Sequence, residues 1–169
     1  LDFVRVAGET LEIGAMTRHH RVATDPQIRS LHPLLAAAAA TIGHYAIRQR
    51  GTLGGSLVHA DPAAQMPLIA TLCDAHIVVQ GPAGSRRIGA AKFFQAAMTV
   101  SLLPEEIVTS ILYPVMPEQT GWAFELFARR RGDFAIVAVA AILQRDPQGR
   151  VLVLDLAVGG TDPVPLRLD

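Results

Sequence analysis

The sequence has 169 residues, half of them hydrophobic and 18% charged, and fifteen Lys and Arg balance fifteen Asp and Glu. A chain without net charge creates no long-range field, which excludes a protein attracted to nucleic acid or anionic membranes by its overall charge. The single cysteine, Cys73, excludes an internal disulfide and cannot by itself hold an iron–sulfur cluster or a thiolate zinc site. A lone cysteine is typical of a reducing compartment, so we expect a cytoplasmic protein.

The apolar segments are too short for a predicted membrane span. The longest apolar helix candidate covers residues 34–42, whereas a transmembrane helix needs roughly 20 residues. The N-terminus shows no basic and then apolar signal pattern. It has no initial Met and begins directly with a strand-like run, so we expect a fragment with residues missing at both ends.

The chain begins with a predicted hairpin and a short helix. Residues 3–6 and 11–13 are the expected strands, with a turn at Gly8-Glu9. Thr17 is expected to cap a short helix over residues 18–23, because its hydroxyl can accept a hydrogen bond from the first helical turn.

A stronger helix is predicted from Pro33. Apolar side chains recur at helical spacing on one stripe, namely Leu34, Leu35, Ala38, Ile42 and Tyr45. Residues 47–60 contain three glycines and no helical period, so they predict a loop. A third helix is expected to begin at Asp61-Pro62, with the Asp side chain as N-cap and Pro at the first helical position.

The next section alternates strands and turns. Residues 76–80 and 86–88 predict two strands joined by a turn at residues 81–84, GPAG. A short helix over residues 90–96 and a strand over residues 106–113 follow.

The last section predicts an antiparallel sheet. Residues 114–121 are rich in proline and polar side chains and indicate a linker. Strands are expected at residues 122–129, 134–144 and 151–158, with short connections that favour antiparallel pairing. We expect the helices that would cover one face of this sheet to lie outside this sequence. Mixed helices and antiparallel strands predict the α+β class.

The segment with the clearest chemical pattern is residues 50–61, RGTLGGSLVHAD. Its glycines let main-chain N–H groups approach a ligand, and two hydroxyls lie beside them: Gly51, Gly54, Gly55, Thr52 and Ser56. Consecutive amides in such a loop form a concave nest that suits a diphosphate. The segment lacks the lysine of a P-loop and the G-x-G-x-x-G pattern of a Rossmann fold. The alternative is that the glycines only shape a tight connection.

This segment carries a family resemblance. Residues 47–57, IRQRGTLGGSL, and 60–64, ADPAA, resemble the second flavin loop in the FAD subunits of molybdenum hydroxylases, with the pattern R-x-x-G-T-I-G-G-N/S-L-x-x-A-D-P-A-x-D-x-P. That family includes the medium subunit of aerobic carbon monoxide dehydrogenase and the flavin domain of xanthine dehydrogenase.

Further segments resemble the same family in the same order. They are IGAMT at residues 13–17, FF at 93–94, LPEEI at 103–107, and the stretch from Ala123-Phe124 through Arg129-Arg130 to GDFA at 132–135. The resemblance therefore spans nearly the whole chain, and its order is more specific than any single loop.

The resemblance implies a fold and a domain division. Residues 1–116 would be a vanillyl-alcohol-oxidase-like FAD-binding domain, represented by its second subdomain. Residues 117–169 would begin a C-terminal antiparallel α+β domain that is truncated. The family's first flavin loop, of the form A-G-G-x-S-L, would precede Leu1, so we expect this chain alone to bind FAD weakly or not at all.

The resemblance also implies a function in electron transfer. Substrate would be oxidised at the molybdenum cofactor of a molybdopterin large subunit, and the 2Fe-2S clusters of an iron–sulfur small subunit would relay electrons to FAD. FAD would then reduce an external electron acceptor. Two alternatives remain: a structural docking domain without flavin, and a stand-alone flavin reductase of the same fold.

The family pattern implies a role for particular residues. Five consecutive residues would present amides and hydroxyls to the FAD diphosphate: Thr52, Leu53, Gly54, Gly55 and Ser56. His59 and Asp61 would lie along the ribityl and phosphate region, with Gln65 near the same chain. Val108 would pack an apolar side chain near the isoalloxazine or its adjoining strand.

Some positions depart from the family pattern. Ser56 stands where Asn is common, His59 where Asn or Thr is common, and Gln65 where Asp is frequent. Glu125 and Leu126 occupy the region where relatives often have a Lys near the flavin, so that contact is not transferred.

Other reactive side chains predict no site. His19 and His20 are adjacent on a helix and point about 100° apart, so a shared metal ion is not expected. Cys73 lies on an apolar helix stripe, which is typical of an unreactive core thiol. We identify no catalytic acid, base or nucleophile and no metal ligands.

Overall fold

A computed structural model describes residues 1–168. Its elements in chain order are β1 Val4–Ala7, β2 Thr10–Gly14, α1 His19–Thr24, α2 Pro26–Leu31, α3 Pro33–Ala40, α4 Tyr45–Arg48, α5 Leu53–His59, α6 Gln65–Leu72, β3 His76–Gly81, β4 Gly84–Gly89, α7 Ala90–Phe93, β5 Phe94–Ala96, β6 Thr99–Val100, β7 Ile107–Pro114, β8 Gly121–Phe127, β9 Val137–Arg145, β10 Val151–Gly159 and β11 Leu166–Leu168. The mixture of helices and antiparallel sheets confirms the α+β class.

A five-stranded antiparallel sheet forms the first half of the structure, in the order β1-β2-β7-β3-β4. Leu11 and Ile13 on β2 and Ile77 and Val79 on β3 are fully buried, because alternate side chains of a strand point to the same face. β7 lies between these two strands. The sheet thus presents one continuous apolar face to the helices.

Helix α6 lies at the centre of the molecule. Every residue from Gln65 to Leu72 is buried, as expected for a helix composed mostly of apolar residues. It packs against α3 and α5 and against strands β9, β10 and β11. Its position explains why Cys73, at its C-terminal end, is also buried.

A second antiparallel sheet follows in the order β11-β10-β9-β8. Its inner face carries small side chains that pack on α6: Ala138, Ala140 and Ala157. One hydrophobic cluster therefore runs through both sheets. Arg167 on β11 adds a polar link, since its guanidinium donates to Asp74 after α6 (2.6 Å) and to Asp155 on β10 (2.9 Å).

The predicted strands are present. The first hairpin pairs Val6 with Leu11 across the turn, and β3 and β4 pair across the expected GPAG turn. The three C-terminal strands pair as a meander, and β11 adds a fourth strand that the sequence pattern did not predict.

Two predicted helix caps are wrong. Thr17 does not cap α1; its hydroxyl donates to the carbonyl oxygen of Phe3 (3.2 Å), because the residue is held against the N-terminal strand. Asp61 caps a turn instead of a helix. Its carboxylate accepts from the amide of Ala63 (2.8 Å), and α6 begins only at Gln65.

The helices from Pro33 and from Ala90 end earlier in the structure than predicted. The helix from Pro33 ends at Ala40, and Tyr45 belongs to the separate helix α4, because Gly43 adopts a positive φ of 46° between them. Helix α2 was not predicted. The expected helix over residues 90–96 ends at Phe93, and a short hairpin, β5–β6, replaces its second half.

Candidate functional site

Main-chain hydrogen bonds join the segment of residues 50–54 to residues 15–19. The amide of His19 donates to Gly51 (3.0 Å), the amide of Leu53 donates to Thr17 (2.9 Å), and the amide of Gly54 donates to Ala15 (2.8 Å). These bonds join the end of β2 to the start of α5. The segment is therefore held by main-chain contacts between parts of the chain about thirty-five residues apart.

The predicted glycine loop is largely a helix. Thr52 is the N-cap of α5, and its side-chain oxygen accepts from the amide of Gly55 (3.0 Å). The amide of Ser56 donates to the carbonyl of Thr52 within the helix. Because the amides of Leu53 to Ser56 all have acceptors within the chain, the expected nest of unpaired amides is not formed by these four groups.

Two of the glycines serve the packing of this segment. A Cβ on Gly54 would lie 2.6 Å from the Cβ of Ala15, and a Cβ on Gly51 would lie 2.7 Å from Cδ2 of His19. Both distances are shorter than van der Waals contact. Gly55 is exposed, but a Cβ on it would lie 2.8 Å from the hydroxyl oxygen of Thr52.

Side chains remain available for a ligand along α5. The Thr52 hydroxyl accepts one bond and keeps its proton to donate. Ser56 is half-buried and His59 exposed, and within residues 1–168 neither side chain has a hydrogen-bond partner. Leu53 is fully buried, so its side chain packs in the core.

The other predicted contacts lie on neighbouring elements. Asp61 is half-buried in its turn, Gln65 is buried at the start of α6, and Val108 is buried on β7 opposite Val79. The amide of Ala15 donates to the carbonyl of Thr109, so β7 continues the wall next to the segment of residues 50–54.

A cleft of about 590 Å³ opens at α4, the helix that precedes the segment of residues 50–54 in the chain. It lies between α3–α4 and the end of β8, and its lining includes His44, Arg48, Glu125, Arg130 and Arg131. None of the predicted FAD contacts lines it. The arginines after β8 are brought to α4 because Gly132, with a φ of 91°, leaves room for the ring of His44. No local sequence pattern signals this contact.

Burial controls the ionisation of several side chains. It lowers the pKa of His19 and of His32 to about 4 and raises the pKa of the Cys73 thiol to about 12. The thiol is therefore protonated at neutral pH, as expected for an unreactive core cysteine. Within residues 1–168 no three side chains of the metal-binding types converge, and no helix there is long and apolar enough to cross a membrane.

The structure combines an α+β architecture with a hydroxyl-bearing segment at the start of α5. A family model, described as the FAD binding domain in molybdopterin dehydrogenase, matches residues 1–116. The chain belongs to this family. It is thus an FAD-binding domain of the oxidoreductase class.

Named relatives agree with this assignment. The chain is 38% identical over 164 residues to the 6-hydroxypseudooxynicotine dehydrogenase complex subunit alpha of Paenarthrobacter nicotinovorans, covering 97% of this chain and 55% of the relative. It is 34% identical over 164 residues to the carbon monoxide dehydrogenase medium chain of Hydrogenophaga pseudoflava, covering 97% and 57%.

A solved structure shows the same fold. Carbon monoxide dehydrogenase from Hydrogenophaga pseudoflava, lacking the Mo-pyranopterin moiety of its molybdenum cofactor, superposes with a TM-score of 0.94 at 34% identity. The match covers 98% of this chain and 57% of the other. The chain thus spans just over half the length of the proteins it resembles.

Proposed function

We propose that the whole protein is the FAD-binding electron-transfer subunit of a cytoplasmic molybdenum hydroxylase or dehydrogenase complex. An iron–sulfur small subunit with 2Fe-2S clusters and a large subunit with the molybdenum cofactor are its partners, and it passes electrons to an external acceptor. The observation that supports this most strongly is the family match over residues 1–116. The second part of the chain, residues 117–169, begins the C-terminal domain.

The polar side chains along α5 have the chemistry needed to bind FAD. The hydroxyls of Thr52 and Ser56 can donate to a diphosphate, the exposed surface at Gly55 lets it approach, and His59 extends the polar row. Asp61, Gln65 and Val108 complete the proposed contacts on adjoining elements. The flavin supplies the electron-carrying chemistry when bound, and this chain contributes binding and orientation.

The arginine-lined cleft supports the same proposal. Glu125 and Leu126, which occupy the region where relatives often have a Lys near the flavin, both line it. We propose that the cofactor lies along α5, with its ring system between Val108 on β7 and this cleft. Arg48 stabilises the wall by donating to the carbonyls of Ile42 (2.9 Å) and Gly43 (3.0 Å).

One observation favours a docking domain without flavin. The amides of Leu53 to Ser56 already donate to acceptors within the chain, so these four groups are not free to donate to a diphosphate. Visible absorbance of the purified full-length subunit separates the two proposals. Bound flavin without co-purifying iron–sulfur and molybdenum subunits would instead indicate a stand-alone reductase.

Substitutions at the two hydroxyls test the proposed contacts. We expect Ser56→Ala in the full-length complex to weaken FAD binding by roughly ten- to a hundredfold, because a hydrogen bond to a charged group contributes roughly 1.5–3 kcal/mol. Thr52→Val should lower the FAD affinity and also destabilise α5. Thr52→Ser should preserve both the FAD affinity and the stability of α5. The measurement is FAD titration of the deflavinated complex.

The matched control is Ser85→Ala, which removes an exposed hydroxyl on β4. Unchanged FAD affinity in both Ser56→Ala and Thr52→Val would contradict the assignment of these hydroxyls.

A further inference from the structure

His19 is a buried histidine directly behind the proposed cofactor segment. Its side chain is 4% exposed, and Nδ1 is buried without a hydrogen-bond partner among residues 1–168. Leaving a buried polar atom unpaired costs roughly 1–3 kcal/mol, so an imidazole at this position destabilises the fold unless the ring has another role.

The ring of His19 is in contact with the main chain of Gly51. A Cβ at position 51 would lie 2.7 Å from Cδ2 and 3.1 Å from Nε2 of the imidazole. Gly51 does not have a positive φ. The glycine is therefore required by the position of the ring and not by its own backbone conformation.

The contact between His19 and Gly51 lies in the middle of a docked segment. On one side, the guanidinium of Arg18 donates to the carbonyl of Arg50, and on the other, the amide of Leu53 donates to Thr17. The His19 amide donates to the carbonyl of the same Gly51 that the ring contacts. The imidazole ring of His19 and its main-chain amide therefore both contact Gly51, and together they fix the position of the segment.

We propose that His19 is a positioning residue for FAD, its flat imidazole setting the path of residues 50–52 and so the placement of the Thr52 and Ser56 hydroxyls. The inference rests on the proposed function, since it concerns the same cofactor site. His19 does not contact the cofactor itself, because its surface is almost fully covered. The low pKa of the ring, about 4, keeps it uncharged against this segment at neutral pH.

The adjacent histidine has a different environment and provides the matched control. His20 is half-buried, and its ring packs edge-on against Tyr45 at 5.2 Å between centroids. Its side chain has no hydrogen bond to the segment of residues 50–54. A substitution at His20 therefore removes a neighbouring imidazole without changing the contact with Gly51.

A compensating pair of substitutions tests the proposal in the full-length complex. Gly51→Ala should weaken FAD binding by about tenfold or more, because its methyl group and the ring cannot occupy the same space. His19→Ala should weaken FAD binding less and shift the visible flavin spectrum and reduction potential. Gly51→Ala lowers the logarithm of the FAD affinity, and the double variant His19→Ala/Gly51→Ala should recover at least half of that loss. His20→Ala should bind FAD as the wild type does.

Spectrum and potential are measured on folded, flavin-loaded protein, so a loss of stability alone would not change them. The inference is overturned if His19→Ala keeps wild-type FAD affinity, spectrum and potential, or if the double variant binds no better than Gly51→Ala. If Gly51→Ala does not fold, recovery of folding and flavin in the double variant still decides the question. A wild-type complex without flavin would overturn the proposed function and this inference together, whereas a flavin-containing wild type isolates the inference.

Discussion

Gly54 shows how a single glycine permits the close packing of two elements. The helix α5 approaches the end of β2 so closely that a Cβ on Gly54 would lie 2.9 Å from the carbonyl oxygen of Ala15. That oxygen also accepts the Gly54 amide. Glycine here permits the contact between two elements, which is the alternative role that the sequence left open.

We expect Gly54→Ala to destabilise the protein. Overpacking costs roughly 1–3 kcal/mol, and a Cβ only 2.6 Å from that of Ala15 favours the upper part of this range, above the roughly 1 kcal/mol that Ala gains over Gly within a helix. Urea unfolding measures the difference in free energy. Gly89→Ala is the control, because a Cβ there meets no atom within 4 Å. Equal stability of the two variants would contradict the close approach of α5 to Ala15.

The sequence pattern predicted a loop over residues 47–60, whereas α5 occupies Leu53–His59. Three glycines in five residues resemble a loop, but Leu53 and Leu57 are both fully buried at a spacing of one helical turn. That apolar pair was the local signal for α5. The acceptors for its first amides are on residues 15 and 17, so no local pattern could predict their pairing.

At the scale of elements, the start of helix α3 depends on a buried histidine. Nδ1 of His32 accepts from the amide of Leu35 (3.4 Å), and the ring packs edge-on against Tyr113. An imidazole can accept at Nδ1 only when that nitrogen carries no proton. The cap therefore requires the neutral ring, in agreement with a pKa lowered by burial to about 4.

This cap predicts a loss of stability in acid. The unfolded chain protonates His32 near pH 6.5, whereas the folded protein does so only near pH 4. The contribution of His32 is complete above pH 6.5 and is lost as the pH falls toward 4, with a slope of up to about 1.4 kcal/mol per unit. His32→Asn retains a capping acceptor and should reduce that slope, measured by urea unfolding at several pH values. An unchanged slope would contradict the role of His32.

At the scale of the whole molecule, the second sheet has two unlike faces. The inner face packs on α6 and contains Ala157, which is fully buried. The outer face exposes apolar side chains, including Val139 at 38%, Leu154 at 54% and Leu166 at 43%. An apolar sheet face normally packs against another layer, so we expect further residues of the whole protein to cover it.

The exposed face predicts dye binding by the 169-residue chain. Leu154→Thr with Leu166→Thr should lower the fluorescence of a hydrophobic dye and leave thermal stability nearly unchanged, because both side chains are already exposed. Ala157→Thr on the opposite face should lower thermal stability, since it introduces a hydroxyl into the core. Equal dye fluorescence before and after the double substitution would show that the dye binds elsewhere.

The sequence by itself determined the α+β class, most strands and the family, because alternation, turn residues and motif spacing are local or ordered along the chain. Only the tertiary structure decided that the Gly54 amide bonds to Ala15, that the ring of His19 lies behind Gly51, and that Arg130 and Arg131 meet α4 across a cleft. Each of these contacts joins residues more than thirty positions apart. Such contacts depend on how the two sheets and α6 pack together, which no local pattern specifies.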